Sequence, residues 1–168
     1  MRIRIAADGD VAAITEIYNQ AIELGNATAH TSAVSEAERR AWLADHSPAK
    51  HPVFVAETEE AVAGYVYLSP YRPGREALEH TKEISYFVHE DFRGQGIGSA
   101  LIEHAIDQCP ALGVRHLFAI LLDNNPASIA LLKKFGFEQW GHMPRVADFD
   151  GEEVGHYYYG LRLPNKKN

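Results

Sequence analysis

The chain has 168 residues, 46% hydrophobic and 23% charged, the composition of an ordinary folded protein. A chain of this length buries roughly 70% of its unfolded surface, and one domain over residues 1–168 is the economical expectation. A formal charge of −7 argues against a nucleic-acid partner, and no apolar run approaches the ~20 residues needed to cross a bilayer.

The lone Cys109 cannot form an internal disulfide, which fits a reducing compartment. The N-terminus lacks the apolar core of a signal peptide, so a cytoplasmic location is expected. Ile3 and Ile5 alternate as a first strand with an inward apolar face. Asp8 or Asp10 then caps a helix whose buried stripe is Val11, Ile14, Tyr18, Ala21 and Ile22, and Gly25-Asn26 ends it. Ser35-Glu36-Ala37-Glu38 is a capping box that opens a second helix, running through Trp42 to about Asp45. After His51-Pro52, Val53–Ala56 and Val62–Leu68 form a hairpin turning at Glu59-Glu60.

Residues 70–75, rich in proline, glycine and arginine, read as a loop before a strand over Lys82–Val88. A helix from Gly96 to Gln108 follows, with Cys109 buried at its end. Arg115–Leu122 reads as a strand buried on both faces. Asn124-Asn125-Pro126 opens a helix through Ile129, Leu132 and Phe135 to a stop at Gly136. Phe137 onward and Val154–Leu163 close the pattern as two strands, and Pro164–Asn168 reads as a frayed end. The order mixes antiparallel hairpins with one strand–helix–strand crossover, which is an α+β arrangement.

The most informative stretch runs from Glu83 to Ser99, a strand followed by Arg93-Gly94-Gln95-Gly96-Ile97-Gly98-Ser99. Clustered glycines at the start of a helix expose free N–H groups where the helix dipole favours an anion, so the turn suits a phosphate. A Walker loop would need lysine after its last glycine, and here Gly98 is followed by Ser99. A dinucleotide fingerprint would need G-x-G-x-x-G instead of Gly94-x-Gly96-x-Gly98, although Asp123 keeps that reading open. A purely structural turn also stays open on the glycines alone. The histidines, His30, His80, His142 and His156 among them, show no metal-ligand spacing, and no metal is expected.

Arg93-x-x-Gly96-x-Gly98, after the fourth strand, resembles the acetyl-CoA pyrophosphate loop of the GCN5-related N-acetyltransferase (GNAT) superfamily. Asn125-Pro126-Ala127-Ser128, ending in Lys134-Phe135-Gly136-Phe137, resembles its second signature, on the helix beside the pantetheine arm. The resemblance spans roughly residues 2–163 and implies the GNAT fold, a mixed, mostly antiparallel twisted sheet of about seven strands with about four helices. It implies acetyl-CoA as co-substrate, with the pyrophosphate held by backbone N–H groups of Gly94, Gln95, Gly96, Ile97, Gly98 and Ser99, beside Arg93. Tyr86, Phe87 and Val88 would present backbone groups to the pantetheine arm if the fourth strand splays from the fifth. Asn125 and Ser128 would flank the same arm, Asn125 being free to do so if Asn124 caps the helix.

An amine of pKa ~10.4 is only about 0.1% neutral near pH 7.4, so acetyl transfer calls for a base. In the phosphinothricin and methionine sulfoximine acetyltransferase branch a glutamate at the place of Glu83 has that role, which the resemblance transfers to Glu83. The tyrosine acid common in the superfamily, four residues after the signature serine, is replaced by Leu132, with Tyr157, Tyr158 and Tyr159 as substitutes on the last strand. Arg72 and Arg75 match an acceptor-binding loop in that branch, where guanidinium groups suit carboxylate or phosphinate. The branch's Tyr-Arg pair is Leu78-Glu79 here, which either relocates that contact or disfavours a phosphinothricin-type acceptor and favours a polyamine or other cationic amine. The implied function is acetylation of a small-molecule primary amine by direct attack in a ternary complex, in a homodimer. A protein or peptide acetyltransferase and a non-catalytic acyl-CoA-binding module are the other readings.

Overall fold

The computed structural model describes residues 1–164; the expected frayed end lies outside these beyond Pro164. Seven strands form one sheet: β1 (Arg2–Ile5), β2 (Val53–Glu57), β3 (Val62–Pro70), β4 (Thr81–Val88), β5 (His116–Leu122), β6 (Glu138–Phe149) and β7 (Glu152–Arg162). Four α-helices accompany them among the described residues: α1 (Val11–Leu24), α2 (Glu36–Ala44), α3 (Ile97–Gln108) and α4 (Pro126–Lys134). The spatial order is β1-β2-β3-β4-β5-β7-β6, antiparallel everywhere except between β4 and β5. That single parallel pair follows from α3, which carries the chain from the end of β4 back to the start of β5.

Strand alternation divides the core in two. On one face Val66, Leu68 and Ile84 pack against Ile97, Leu101 and Ile102 of α3 and Leu132 of α4. On the other, Val55 and Tyr65 pack against Ile14, Ile17 and Tyr18 of α1, with Trp42 and Leu43 of α2 at the margin. Burying each of these large side chains stabilises the fold by about 1.5–3 kcal/mol.

Three details differ from the sequence reading. Ile5 is 41% exposed, because β1 is an edge strand paired only with β2. Neither Asp8 nor Asp10 caps α1 through its side chain. Asp10 instead turns back to accept from Ala7 N–H (2.8 Å) and to pair with Arg4 (2.7 Å), while Asp8 pairs with Arg40 (2.7 Å). β5 is buried at Leu117, Phe118, Ala119 and Leu122 but only half-buried at Ile120 and Leu121, where β4 no longer runs beside it.

Candidate active site

β4 pairs with β5 only through Thr81, Lys82 and Glu83, opposite His116, Leu117 and Phe118. Beyond Glu83, β5 stays with β7 up to Leu122 while β4 stays with β3 up to Val88. The sheet therefore splits, and Glu83 stands at the vertex. Backbone groups of residues 84–88 on the β5 side lose their ladder partners there, and such groups are satisfied by a ligand or by water.

A groove of about 510 Å³ opens on the α3–α4 side of the split. Its lining includes Tyr86, Phe87, Val88, Arg93, Gly94, Gly96, Ile97, Gly98, Ser99, Asn125 and Ser128. Eleven of the twelve residues expected around the cofactor thus share one groove. Gln95 is the exception: its side-chain amide folds back to donate to Asp91 O at 2.9 Å, leaving its backbone as the part that faces the turn. Gly94 and Gly96 adopt φ of +74° and +84°, a left-handed backbone that disfavours other residues. A Cβ on Gly98 would come within 3.0 Å of Leu131, so this glycine lets α3 and α4 approach closely. Gly96 caps α3 without a side-chain acceptor, so the first-turn N–H groups remain available to an anion. The absence of acidic residues in that turn and the presence of Arg93 and Lys134 suit the same ligand.

Sequence reasoning missed several parts of the groove. Lys134 Nζ reaches across to Ser99 Oγ at 3.1 Å, tying α4 to the glycine turn. Ala21, Leu24 and Ala27 form a wall from the end of α1. Helical periodicity marks Ala21 as buried, but no local signal tells which strand it faces. Asn125, not Asn124, caps α4, accepting from Ser128 N–H at 3.0 Å, and its Nδ2 donates to Asn26 O at 3.0 Å. The amide thereby ties the α1 terminus to the mouth of the groove.

Glu83, Ser85 and Phe87 alternate onto the opposite, α1–α2 face. Glu83 is half-buried, and burial alone pushes its carboxyl above the ordinary glutamate value. Nearby on that face Tyr18, Tyr65, Phe87 and Tyr67 contact one another, Tyr65 lying 5.4 Å from Phe87 and 6.2 Å from Tyr67. The Arg39 guanidinium lies 4.0 Å above Tyr18 and 4.7 Å from Trp42, a roof that α2's capping box alone does not reveal. Burial also raises the Tyr65 and Tyr67 phenols, which are therefore protonated at neutral pH.

Arg72 and Arg75 do not line the groove. They lie in a separate cleft of about 580 Å³ at the start of β4, with Lys50, His51, Lys82, Glu76 and Glu79. Tyr71 connects that cleft to the vertex, packing 4.7 Å from Phe118, the partner of Glu83 in the ladder. Among the histidines, His142 pairs with Asp123 at 2.9 Å and His30 bonds Tyr18 OH at 2.9 Å. No cluster of three metal-ligating side chains occurs among the described residues, and no helix there is long and apolar enough to cross a membrane.

Comparison with known proteins places this geometry in a family. The Acetyltransferase (GNAT) family profile matches residues 12–137. An L-methionine sulfoximine/L-methionine sulfone acetyltransferase of Pseudomonas aeruginosa is 35% identical over 164 residues, 96% of this chain and 94% of that one. L-amino acid N-acyltransferase MnaT of Escherichia coli is 32% identical over 166 residues, 99% of this chain and 96% of that one. The crystal structure of a GNAT superfamily phosphinothricin acetyltransferase from Sinorhizobium meliloti, in complex with AcCoA, superposes with a TM-score of 0.90 at 34% identity, covering 96% of this chain and 88% of that one. With the split sheet and the glycine turn at its open end, these matches give one answer: the chain belongs to the GNAT acetyltransferase family.

Proposed function

We propose that this protein transfers an acetyl group from acetyl-CoA to the primary amine of a small molecule, an amino-acid analogue such as phosphinothricin or methionine sulfoximine being the leading acceptor class. The observation that carries the reading is the split between β4 and β5, with a glycine turn suited to an anion at its open end and the half-buried Glu83 carboxylate at its vertex. The N–H groups of residues 94–99, with Arg93, hold the pyrophosphate. Backbone groups of Tyr86, Phe87 and Val88 hold the pantetheine arm, flanked by Asn125 and Ser128. This arrangement brings the thioester through the split, so that the acceptor nitrogen meets it on the Glu83 face.

Glu83 takes a proton from the acceptor amine directly or through water, as the neutral nitrogen attacks the acetyl carbon in a ternary complex. Its raised pKa brings the carboxylate closer to the working pH, which strengthens it as a base. Base catalysis of this kind contributes about 10²–10⁴-fold. Arg72 and Arg75 serve as the outer anchor of an anionic acceptor, reached past Tyr71.

We further propose that residues 1–168 form one domain acting in the cytoplasm as a homodimer, needing no metal and no nucleic-acid or membrane partner. The exposed Trp140, Met143 and Val146 on the edge strand β6 supply an apolar face for the second copy. The deciding experiment is a thiol-release assay with acetyl-CoA against amino-acid analogues, polyamines, aminoglycosides and peptides. Turnover with an amino-acid analogue supports the reading, and turnover with peptides alone overturns it.

A further inference from the structure

Thioester aminolysis expels a thiolate, a charge that a preorganised hydrogen-bond donor stabilises. The groove-lining side chains with a proton on oxygen are Tyr86, Ser99 and Ser128. Ser99 belongs to the glycine turn, where Lys134 already engages it. Tyr86 and Ser128 lie further along the groove, and their hydroxyl oxygens are 2.7 Å apart. Tyr86 is three residues from Glu83, about 10 Å along β4 and on the other face of the sheet. A thioester that passes from the cradle through the split to a nucleophile on the Glu83 side must cross this point. Leu132, one helical turn past Ser128, is a core residue 1% exposed and presents no donor.

We propose that the Tyr86 hydroxyl, oriented by Ser128, donates the hydrogen bond that stabilises the CoA thiolate as it departs. This rests on the reading of the groove as the acetyl-CoA site. Ser128 is itself fixed, because its N–H donates to Asn125 Oδ1 at 3.0 Å. With Ser128 Oγ–H donating to Tyr86 Oη, the phenolic proton has only a long contact to the Ser128 carbonyl oxygen, at 3.5 Å, to exchange for the sulfur. The acceptor nitrogen forms its bond to the acetyl carbon, and the C–S bond breaks with its electron pair leaving on sulfur. The amine proton passes to Glu83 and then to water, and the thiolate takes a proton from water after release. Burial pushes the Tyr86 phenol up to about 12, well above an ordinary thiol at ~8.5. It therefore keeps its proton throughout and acts as a donor.

The test measures the titration of the CoA thiol bound to the protein, read by the ultraviolet difference absorbance of the thiolate, in wild type, Tyr86→Phe and Ser128→Ala. Bound to wild type, the thiol titrates about one unit or more below its ordinary value of ~8.5. Tyr86→Phe returns it to about that value, and Ser128→Ala lies between. In turnover, Tyr86→Phe lowers kcat by about 10²-fold with the KM for acetyl-CoA within about twofold, the effect of losing one preorganised donor. An identical thiol titration in wild type and Tyr86→Phe overturns the proposal and leaves the acetyl-CoA site standing. Failure of wild type to bind CoA overturns the site and the proposal together.

Discussion

Glu83→Gln keeps the shape of the side chain and removes its charge and basicity. Burial is the sole cause of the raised carboxyl, so no ion pair is broken by the change. Glu83 also lies on the face away from the groove, about 10 Å from Tyr86, and is absent from the groove lining. The affinity for CoA should therefore stay within about twofold, a change of less than about 0.5 kcal/mol. Loss of a general base lowers kcat by about 10²–10⁴-fold, or roughly 3–5.5 kcal/mol of transition-state stabilisation. The assay is steady-state thiol release at saturating acetyl-CoA, with CoA binding measured by calorimetry. The pH profile adds a second check. The base works when deprotonated, so wild-type kcat/KM rises with pH through the raised folded pKa, and Glu83→Gln lacks that limb. Stability moves the other way: in the window between the unfolded and the raised folded pKa the folded protein binds more protons, so stability falls as pH rises, and Glu83→Gln removes that loss. Unchanged kcat with an unchanged acidic limb would refute the assignment of Glu83.

Gly96→Glu forces a side chain into φ of +84° and sets a carboxylate against the anion cradle. It should cost about 1–3 kcal/mol of stability and abolish CoA binding in a calorimetric titration. Asn125→Ala removes both the α4 cap and the tie to Asn26, which should lower stability by about 1 kcal/mol in urea melts and weaken CoA binding. Asp10 has its carboxyl held below the ordinary range, first by the Arg4 guanidinium and then by the Ala7 N–H. Its stabilisation is complete above the unfolded pKa of ~3.9 and is lost as pH falls through the lower folded value, so Asp10→Asn should flatten the acid limb of a Tm-against-pH curve.

The elements were legible in the sequence wherever a local signal exists. The capping box at Ser35 opens α2, Pro126 starts α4, and the glycines at 94 and 96 enforce the turn before α3. Each depends on backbone chemistry within a few residues. Asp10 departs from the capping expectation because its carboxylate accepts from Arg4 six residues away, a pairing that the capping pattern does not signal. The cleft that holds Arg72 and Arg75 is not legible in the sequence for a related reason. A loop's composition names the chemistry it offers, while its path over the sheet end determines which cleft receives it. Lys134 against Ser99, and Tyr86 against Ser128, join residues 35 and 42 positions apart, beyond any local periodicity.

The sequence by itself marked the turn that suits an anion, because such a cradle is made of consecutive backbone groups in a conformation that residues other than glycine disfavour. Only the tertiary structure decided that β4 leaves β5 at Glu83, that the carboxylate is half-buried with no ion-pair partner among the described residues, and that a phenol faces the groove from the strand's other side. Those properties arise from how strands separate and which faces are covered. They belong to packing between distant segments, and no single stretch of the chain encodes them.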